Sequence, residues 1–278
     1  MKKILVPTDF SDNAHNALKY AASIAEKIKS QVIIFNFFRI PIVSGDVPID
    51  PSLIEELENE SIESLQQLKK DVLEKHPDLD IKCISSSGLD NEVNEICETS
   101  DSNGIDLVVM GTKGASGITK AVIGSNTAHV IDDSHCPVLA IPEFATFKGI
   151  KKIIYATDFN SSDYKSIRFL KEMASDFDAE IIVVHIAAEN HSLSHEANQL
   201  EQFKQELGKY TSIDKITFEV IGGEDIAERL NKLIDETGAD IISMSTRKRN
   251  LYQRLFDRSM TKKMAYHTHV PLLAFHIQ

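Results

Sequence analysis

Lys2-Lys3-Ile4-Leu5-Val6-Pro7-Thr8-Asp9-Phe10 returns in the second half of the chain as Lys151-Lys152-Ile153-Ile154-Tyr155-Ala156-Thr157-Asp158-Phe159. Each copy is an apolar run of strand length that ends in Thr-Asp-Phe. Two further stretches repeat in the same order. Asp106-Leu107-Val108-Val109-Met110-Gly111-Thr112 is echoed by Asp240-Ile241-Ile242-Ser243-Met244-Ser245-Thr246, and His135-Cys136-Pro137-Val138-Leu139-Ala140 by His269-Val270-Pro271-Leu272-Leu273-Ala274. Three ordered matches identify an internal duplication, which decides the architecture before any single motif is read. Pro142, Thr146 and Gly149 interrupt the pattern near Phe144–Gly149, which sets expected domains of residues 1–145 and 150–278. A chain of 278 residues is long enough for two cores of ordinary size.

Within each copy, short β-branched runs alternate with longer segments of helical periodicity, the signature of a parallel sheet covered by helices. The expected fold is therefore α/β, two doubly wound Rossmann-like domains. In the first copy strands are expected at Lys3–Pro7, Gln31–Phe38, Asp80–Ser86, Asp106–Met110 and Pro137–Ile141, with helices between them. Ala14–Lys29 puts Ala17, Leu18, Ala21, Ala22 and Ala25 on one face, and Ser52–Lys75 reads as a long helix with an acidic start suited to the helix dipole. Ile40–Pro51, with three prolines and a glycine, is a loop. The second copy is read the same way. Its strands lie near Lys152–Ala156, Glu180–Ile186, Lys215–Val220, Asp240–Met244 and Val270–Ile277, and its helices at Ser161–Phe177, Ser192–Tyr210 and Glu224–Gly238.

A hydrophobic fraction of 42% with 26% charged residues is that of a soluble globular protein, and no apolar run is long enough to cross a membrane. Thr8-Asp9 ends the N-terminal apolar run too early for a signal peptide. Cys83, Cys97 and Cys136 have neither metal-ligand nor redox spacing, which suits a cytoplasmic location with free, mostly buried thiols. A formal net charge of −12 opposes broad contact with nucleic acid or anionic lipid.

The chemistry concentrates after the fourth strand. Gly111-Thr112-Lys113-Gly114, nine residues, and then Gly124-Ser125 give G-x2-G-x9-G-[ST] at a strand-to-helix connection. Glycines there let backbone N–H groups approach a polyphosphate, while the helix start offers unpaired donors and the positive end of a dipole. Ser125 adds a hydroxyl, and Lys113 either adds charge or is an ordinary solvated lysine. In an open α/β sheet, ligands sit outside the carboxyl ends of the strands where the strand order reverses, so Pro7-Thr8-Asp9 should face this loop. The Asp9 carboxylate then either accepts from a ligand or caps the first helix.

Pro-Thr-Asp-Phe-Ser at a strand end, a Met-Gly-x-x-Gly turn, the nine-residue spacer to Gly-Ser and the closing Cys-Pro-Val-Leu strand together resemble the universal stress protein family, across nearly the whole chain. The resemblance implies five-stranded sheets of order 3-2-1-4-5 and an ATP site, with or without magnesium. By position, Asp9 and the backbone of Phe37 would border adenine, Met110 and Gly111 the ribose, and Gly114, Gly124, Ser125 and Asn126 the phosphates. Two positions depart from the family's commonest pattern: Asn36-Phe37 stands where a His followed by a small aliphatic residue is usual, and Asn126 stands where Val is frequent. The resemblance further implies an internal pseudo-dimer through the last strands, Pro137–Ile141 and Pro271–Phe275, with a homodimer and an unidentified protein partner left open.

The second copy has lost the glycines. Ser245 aligns with Gly111, Lys248 with Gly114 and Arg258 with Gly124, while Ser259 matches Ser125. A Cβ at these positions fills the space a phosphate would take, and Thr157-Asp158 is left as a helix-entry device. Arg247, Lys248, Arg249, Arg254 and Arg258 form a local basic cluster, read as an anion-binding patch or as a surface or interdomain patch paired with carboxylates. Met244-Ser245-Thr246-Arg247-Lys248 is distantly similar to a synthetase signature loop but lacks the His-rich partner motif. No Walker lysine motif and no G-x-S-x-G elbow occur, and His15, His129, His185 and His276 are scattered. A nucleotide-dependent regulatory protein is thus expected ahead of a slow ATPase or nucleotide-transferring enzyme, and ahead of a scaffold without nucleotide.

Overall fold

Asp106 ties the opening of the first copy to its fourth strand. Its Oδ2 accepts from the backbone N–H groups of Lys2 and Lys3 at 2.6 and 3.0 Å. Asp240 does the same for Lys151 and Lys152 at the same distances. The lysine that begins each first strand then donates from Nζ to the end of the helix before the fourth strand, Lys3 to Asn103 O and Lys152 to Thr237 O. The duplicated letters are thus a duplicated clamp between the first and fourth strands. The computed structural model describes residues 1–41, 50–89, 91–112, 124–187, 193–247, 268 and 270–277.

The chain divides into two compact units, the first ending at Phe147 and the second starting at Lys148. The first unit runs β1 (Lys3–Pro7), α1 (Asp12–Ile28), β2 (Gln31–Arg39), α2 (Pro51–Leu73), β3 (Ile81–Gly88), α3 (Glu92–Asn103), β4 (Leu107–Gly111), α4 (Ser125–Asp133) and β5 (Val138–Ile141). Its strands lie in the order β3-β2-β1-β4-β5 and pair in parallel throughout, with Leu5 opposite both Ile33 and Val108. The order reverses between β1 and β4, so their carboxyl ends open a crevice. Ile4, Leu5, Val6, Leu107, Val108 and Val109 are fully buried, as expected of a sheet covered on both faces. The small residues Ala17, Ala21 and Ala25 on the buried face of α1 bring that helix close to the sheet.

The second unit repeats this with β6 (Lys152–Ala156), α5 (Asp163–Phe177), β7 (Glu180–Ala187), α6 (Leu193–Leu207), β8 (Ile216–Gly222), α7 (Ile226–Thr237), β9 (Ile241–Arg247) and β10 (Leu272–Ile277). Its parallel order is β8-β7-β6-β9-β10, which is 3-2-1-4-5 in the unit's own count. α1 and α5 both end in a left-handed cap, at Lys29 and Asp178.

One local expectation gains its bounds and two change. The helix expected between the third and fourth strands of the first copy, for which the sequence sets no bounds, is α3, Glu92–Asn103. The start of α2 carries no acid in its first turn; instead the Asp50 side chain accepts from Ser52 N at 3.0 Å, so the cap answers the dipole. The thiols of Cys83, Cys97 and Cys136 are free but half-buried rather than mostly buried. Most of the Ile40–Pro51 loop lies outside the described residues.

Candidate functional site

The Thr-Asp-Phe-Ser turn is built by side chains folding back on the backbone. Phe10 sits at φ 61°, a left-handed conformation that costs a residue with a Cβ, and its N–H donates to Thr8 Oγ1 at 3.0 Å. Asp9 Oδ1 accepts from Ser11 N at 3.1 Å, and Ser11, not Asp9, is the N-cap of α1, accepting from Ala14 N. Behind the turn, the buried Asn36 donates to Thr8 O at 2.7 Å and accepts from Ser61 Oγ at 2.8 Å. Phe159 repeats the strained turn at φ 58°, its N–H bonded to Thr157 Oγ1 at 2.9 Å.

The other wall comes from β4 and α4. Thr127 Oγ1 donates to Gly111 O at 2.8 Å and ties the helix start to the strand end, while Gly124 N donates to Thr112 O, so the two ends of the intervening segment meet here. A Cβ on Gly111 would lie 2.8 Å from Asn13 O and 3.0 Å from Asn13 C; the bare backbone is what lets β4 pass the first turn of α1. Gly124, which has no side chain to cap α4, sets the start of that helix at the cleft, and the first-turn N–H groups of a helix are the donors an anion uses.

Pro7 at the end of β1 with Thr8 and Asp9 from the turn after it, Met110 and Gly111 from β4, and Gly124, Ser125 and Asn126 at the start of α4 all line one cleft of about 110 Å³. Phe37 does not line this cleft; its ring lies against Gly88 on the neighbouring strand, where a Cβ would come within 3.0 Å. Lys113 and Gly114 lie outside the described residues, as do Lys248, Arg249, Arg254, Arg258 and Ser259 of the second copy.

Sequence reasoning missed Ala14, Thr127 and Glu92, which line the cleft as well. Glu92 is the first residue of α3 and accepts from Asn126 Nδ2 at 2.8 Å. Burial, and next the negative charge of Asp9, push its carboxyl above the ordinary carboxylate range, against the pull of Arg39 and the Asn126 hydrogen bond. Glu92 and Asp9 are the two carboxylates in the cleft's described lining. Among the described residues no group of three or more His, Cys, Asp and Glu side chains could hold a metal ion.

The corresponding place in the second unit is filled by its own side chains. Tyr155, Asp163, Ser166 and Ser245 stand where the first unit has Val6, Ala14, Ala17 and Gly111. The Tyr155 hydroxyl is 2.6 Å from Ser245 Oγ, and Ser166 Oγ is 2.9 Å from the same oxygen. Thr157 Oγ1 donates to Asp163 Oδ2 at 2.6 Å. Burial raises the Asp163 carboxyl above its usual range despite the Thr157 and Tyr155 hydrogen bonds, and raises the Tyr155 hydroxyl well above its own. His185 takes over the task of Asn36, its Nδ1 donating to Thr157 O at 2.8 Å, and its ring stacks on Phe159 at 4.3 Å.

A model of the universal stress protein family matches residues 1–142 and again 149–276. A universal stress protein of Methanocaldococcus jannaschii is 34% identical over 143 residues, 50% of this chain and 81% of that protein. A second from the same organism is 29% identical over 155 residues, 50% of this chain and 94% of that protein. A solved universal stress protein from Archaeoglobus fulgidus superposes with a TM-score of 0.76 at 18% identity, covering 99% of this chain and 98% of that one, a likeness of fold. No helix among the described residues is long and apolar enough to cross a membrane.

Proposed function

The chain belongs to the universal stress protein family, and from that premise we propose that it binds ATP in the cleft of its first unit and acts in the cytoplasm as a nucleotide-dependent stress-response or regulatory protein. The observation that carries this reading is convergence: Thr8-Asp9, Met110-Gly111 and Gly124-Ser125, far apart in sequence, line one cleft at the point where the strand order reverses. Adenine and ribose lie along β1 and β4, and the phosphates meet the uncapped N–H groups of α4. By their place in the sequence Lys113 and Gly114 belong to the same phosphate loop, and the base, reaching past the lining of the cleft, would meet the backbone of Phe37. Residues 1–145 and 150–278 are two domains of one design, of which the first alone takes nucleotide.

In the second domain the Ser245 hydroxyl is engaged by Tyr155 and Ser166, and the Asp163 carboxyl occupies the position of the small Ala14. Its role is regulatory or structural. ATP binding is read as a signal and not as the first step of a reaction, because a bound ligand that favours one conformation is enough to change a partner contact.

Calorimetric titration of ATP with magnesium into the wild type and into Gly114→Lys, which copies the second domain's residue into the first, tests this. One ATP per chain, lost in the variant, supports the reading. No binding to the wild type removes it in favour of a scaffold, and two ATP per chain contradicts the assignment of the second domain.

A further inference from the structure

Glu92 stands in the cleft for a reason the fold does not supply. Its counterpart at the first residue of α7 is Ile226, which packs against the apolar core of the second unit, so a helix at this place starts equally well on an apolar side chain. Capping does not call for Glu92 either, since Asn91 caps α3 by accepting from Asn94 N at 3.2 Å. What Glu92 does touch is Asn126, the second residue of α4, at 2.8 Å, one side chain away from the N–H groups that face an anion. Asp9 lines the same small cleft. Among the described residues, Arg39, at the end of β2, is the one cation whose charge favours the ionised Glu92.

Resting on the reading of the cleft as a nucleotide site, we propose that Glu92 is its specificity-determining residue: its carboxylate, anchored to α4 through Asn126, rejects a bare polyphosphate and admits one whose charge is offset by a divalent cation. A phosphate at the start of α4 gains from the helix N–H groups and dipole but lies within a few ångströms of a carboxylate shielded by protein on one side. Like charges at such a distance repel strongly enough to cost about a factor of ten in affinity, even with substantial solvent screening. A bound magnesium ion reduces the charge that Glu92 meets, and adenosine, without phosphate, does not meet it at all. The site therefore prefers the magnesium complex of ATP over free ATP by more than an ordinary helix N-terminus would.

Adenosine and ATP are titrated into the wild type, Glu92→Gln and Glu92→Ile, each with magnesium and with EDTA. Gln keeps an acceptor for Asn126, and Ile copies the second unit, so at least one variant retains the fold, checked by circular dichroism. The expected result is that both variants bind free ATP in EDTA roughly ten-fold tighter than the wild type, while adenosine affinity moves by less than about two-fold. Unchanged affinity for free ATP, or an equal change for adenosine and ATP, overturns the role of Glu92 while leaving the nucleotide reading intact. Failure of the wild type to bind ATP with magnesium overturns both, and that outcome is distinct because no variant is needed to see it.

Discussion

Replacing Gly111 with Ala adds one carbon at the tightest point of the cleft. That Cβ would sit 2.8 Å from Asn13 O, 3.0 Å from Asn13 C and 3.1 Å from Asn13 Cβ. Two of these contacts are with backbone at the start of α1, which cannot rotate aside as a flexible side chain could. To restore ordinary contact, the end of β4 and the first turn of α1 must part by roughly half an ångström, and overpacking of this kind costs about 1–3 kcal/mol. For a unit of this size that corresponds to a fall of roughly 4–8 °C in the melting temperature at the middle of the range. The same displacement separates Met110-Gly111 from Thr8-Asp9, the two sides of the proposed base and ribose site, so ATP affinity should drop by about ten-fold or more, equivalent to about 1.4 kcal/mol. Thermal unfolding with and without ATP and magnesium reads both effects in one assay. A Gly111→Ala protein that melts within about 1 °C of the wild type and keeps the same shift on adding ATP would refute the packing argument.

Asn36→Leu removes the donor to Thr8 O and the acceptor for Ser61 Oγ, both buried, and should destabilise the first unit by about 1–3 kcal/mol in denaturant titration. Asp163 has a folded-state pKa raised above its ordinary value, so the native state holds its proton more tightly than the unfolded chain does. Its contribution to stability is therefore greatest below about pH 4 and is lost as pH rises through the raised value. Denaturation of the wild type and Asp163→Asn across this range should show the wild type losing stability relative to the variant as pH rises; a difference independent of pH contradicts the assignment. The Cys97 thiol is pushed up to about 11, first by burial and then by the negative charge of Asp133. Its alkylation by iodoacetamide should be slow at pH 8 and accelerate only as pH approaches that value, followed by mass spectrometry.

The duplication was legible because it rests on local signals, an apolar strand, a Thr-Asp-Phe turn and a closing strand after His-x-Pro, each stated twice, whereas the sheet order came from the family resemblance that those motifs and the single glycine loop carry. The turn could be placed, but not its strain; that Phe10 and Phe159 both adopt positive φ follows from the threonine hydroxyl drawing their N–H groups inward, which no propensity encodes. Glu92 escaped notice because α3 was expected but its residues were not placed. Val93, Ile96, Cys97 and Ser100 carry the helical spacing and Asn91 the cap, signals strong enough to have found the helix, yet the meaning of Glu92 depends on Asn126, which only the fold brings near. The second unit shows the same limit. Ser245 was readable as a lost glycine, whereas its bonds to Tyr155 and Ser166 join a strand, its neighbour and a helix, and so required the register of the whole sheet.

Hydrogen exchange read by mass spectrometry, with and without ATP and magnesium, tests the central claim most directly. Binding at the first unit predicts slowed exchange in peptides covering Thr8–Ala14 and Ser125–Ala128, where the turn and the start of α4 enclose the ligand, with no change across Thr157–Asp163. Protection confined to the second unit, or no protection in either, would contradict it.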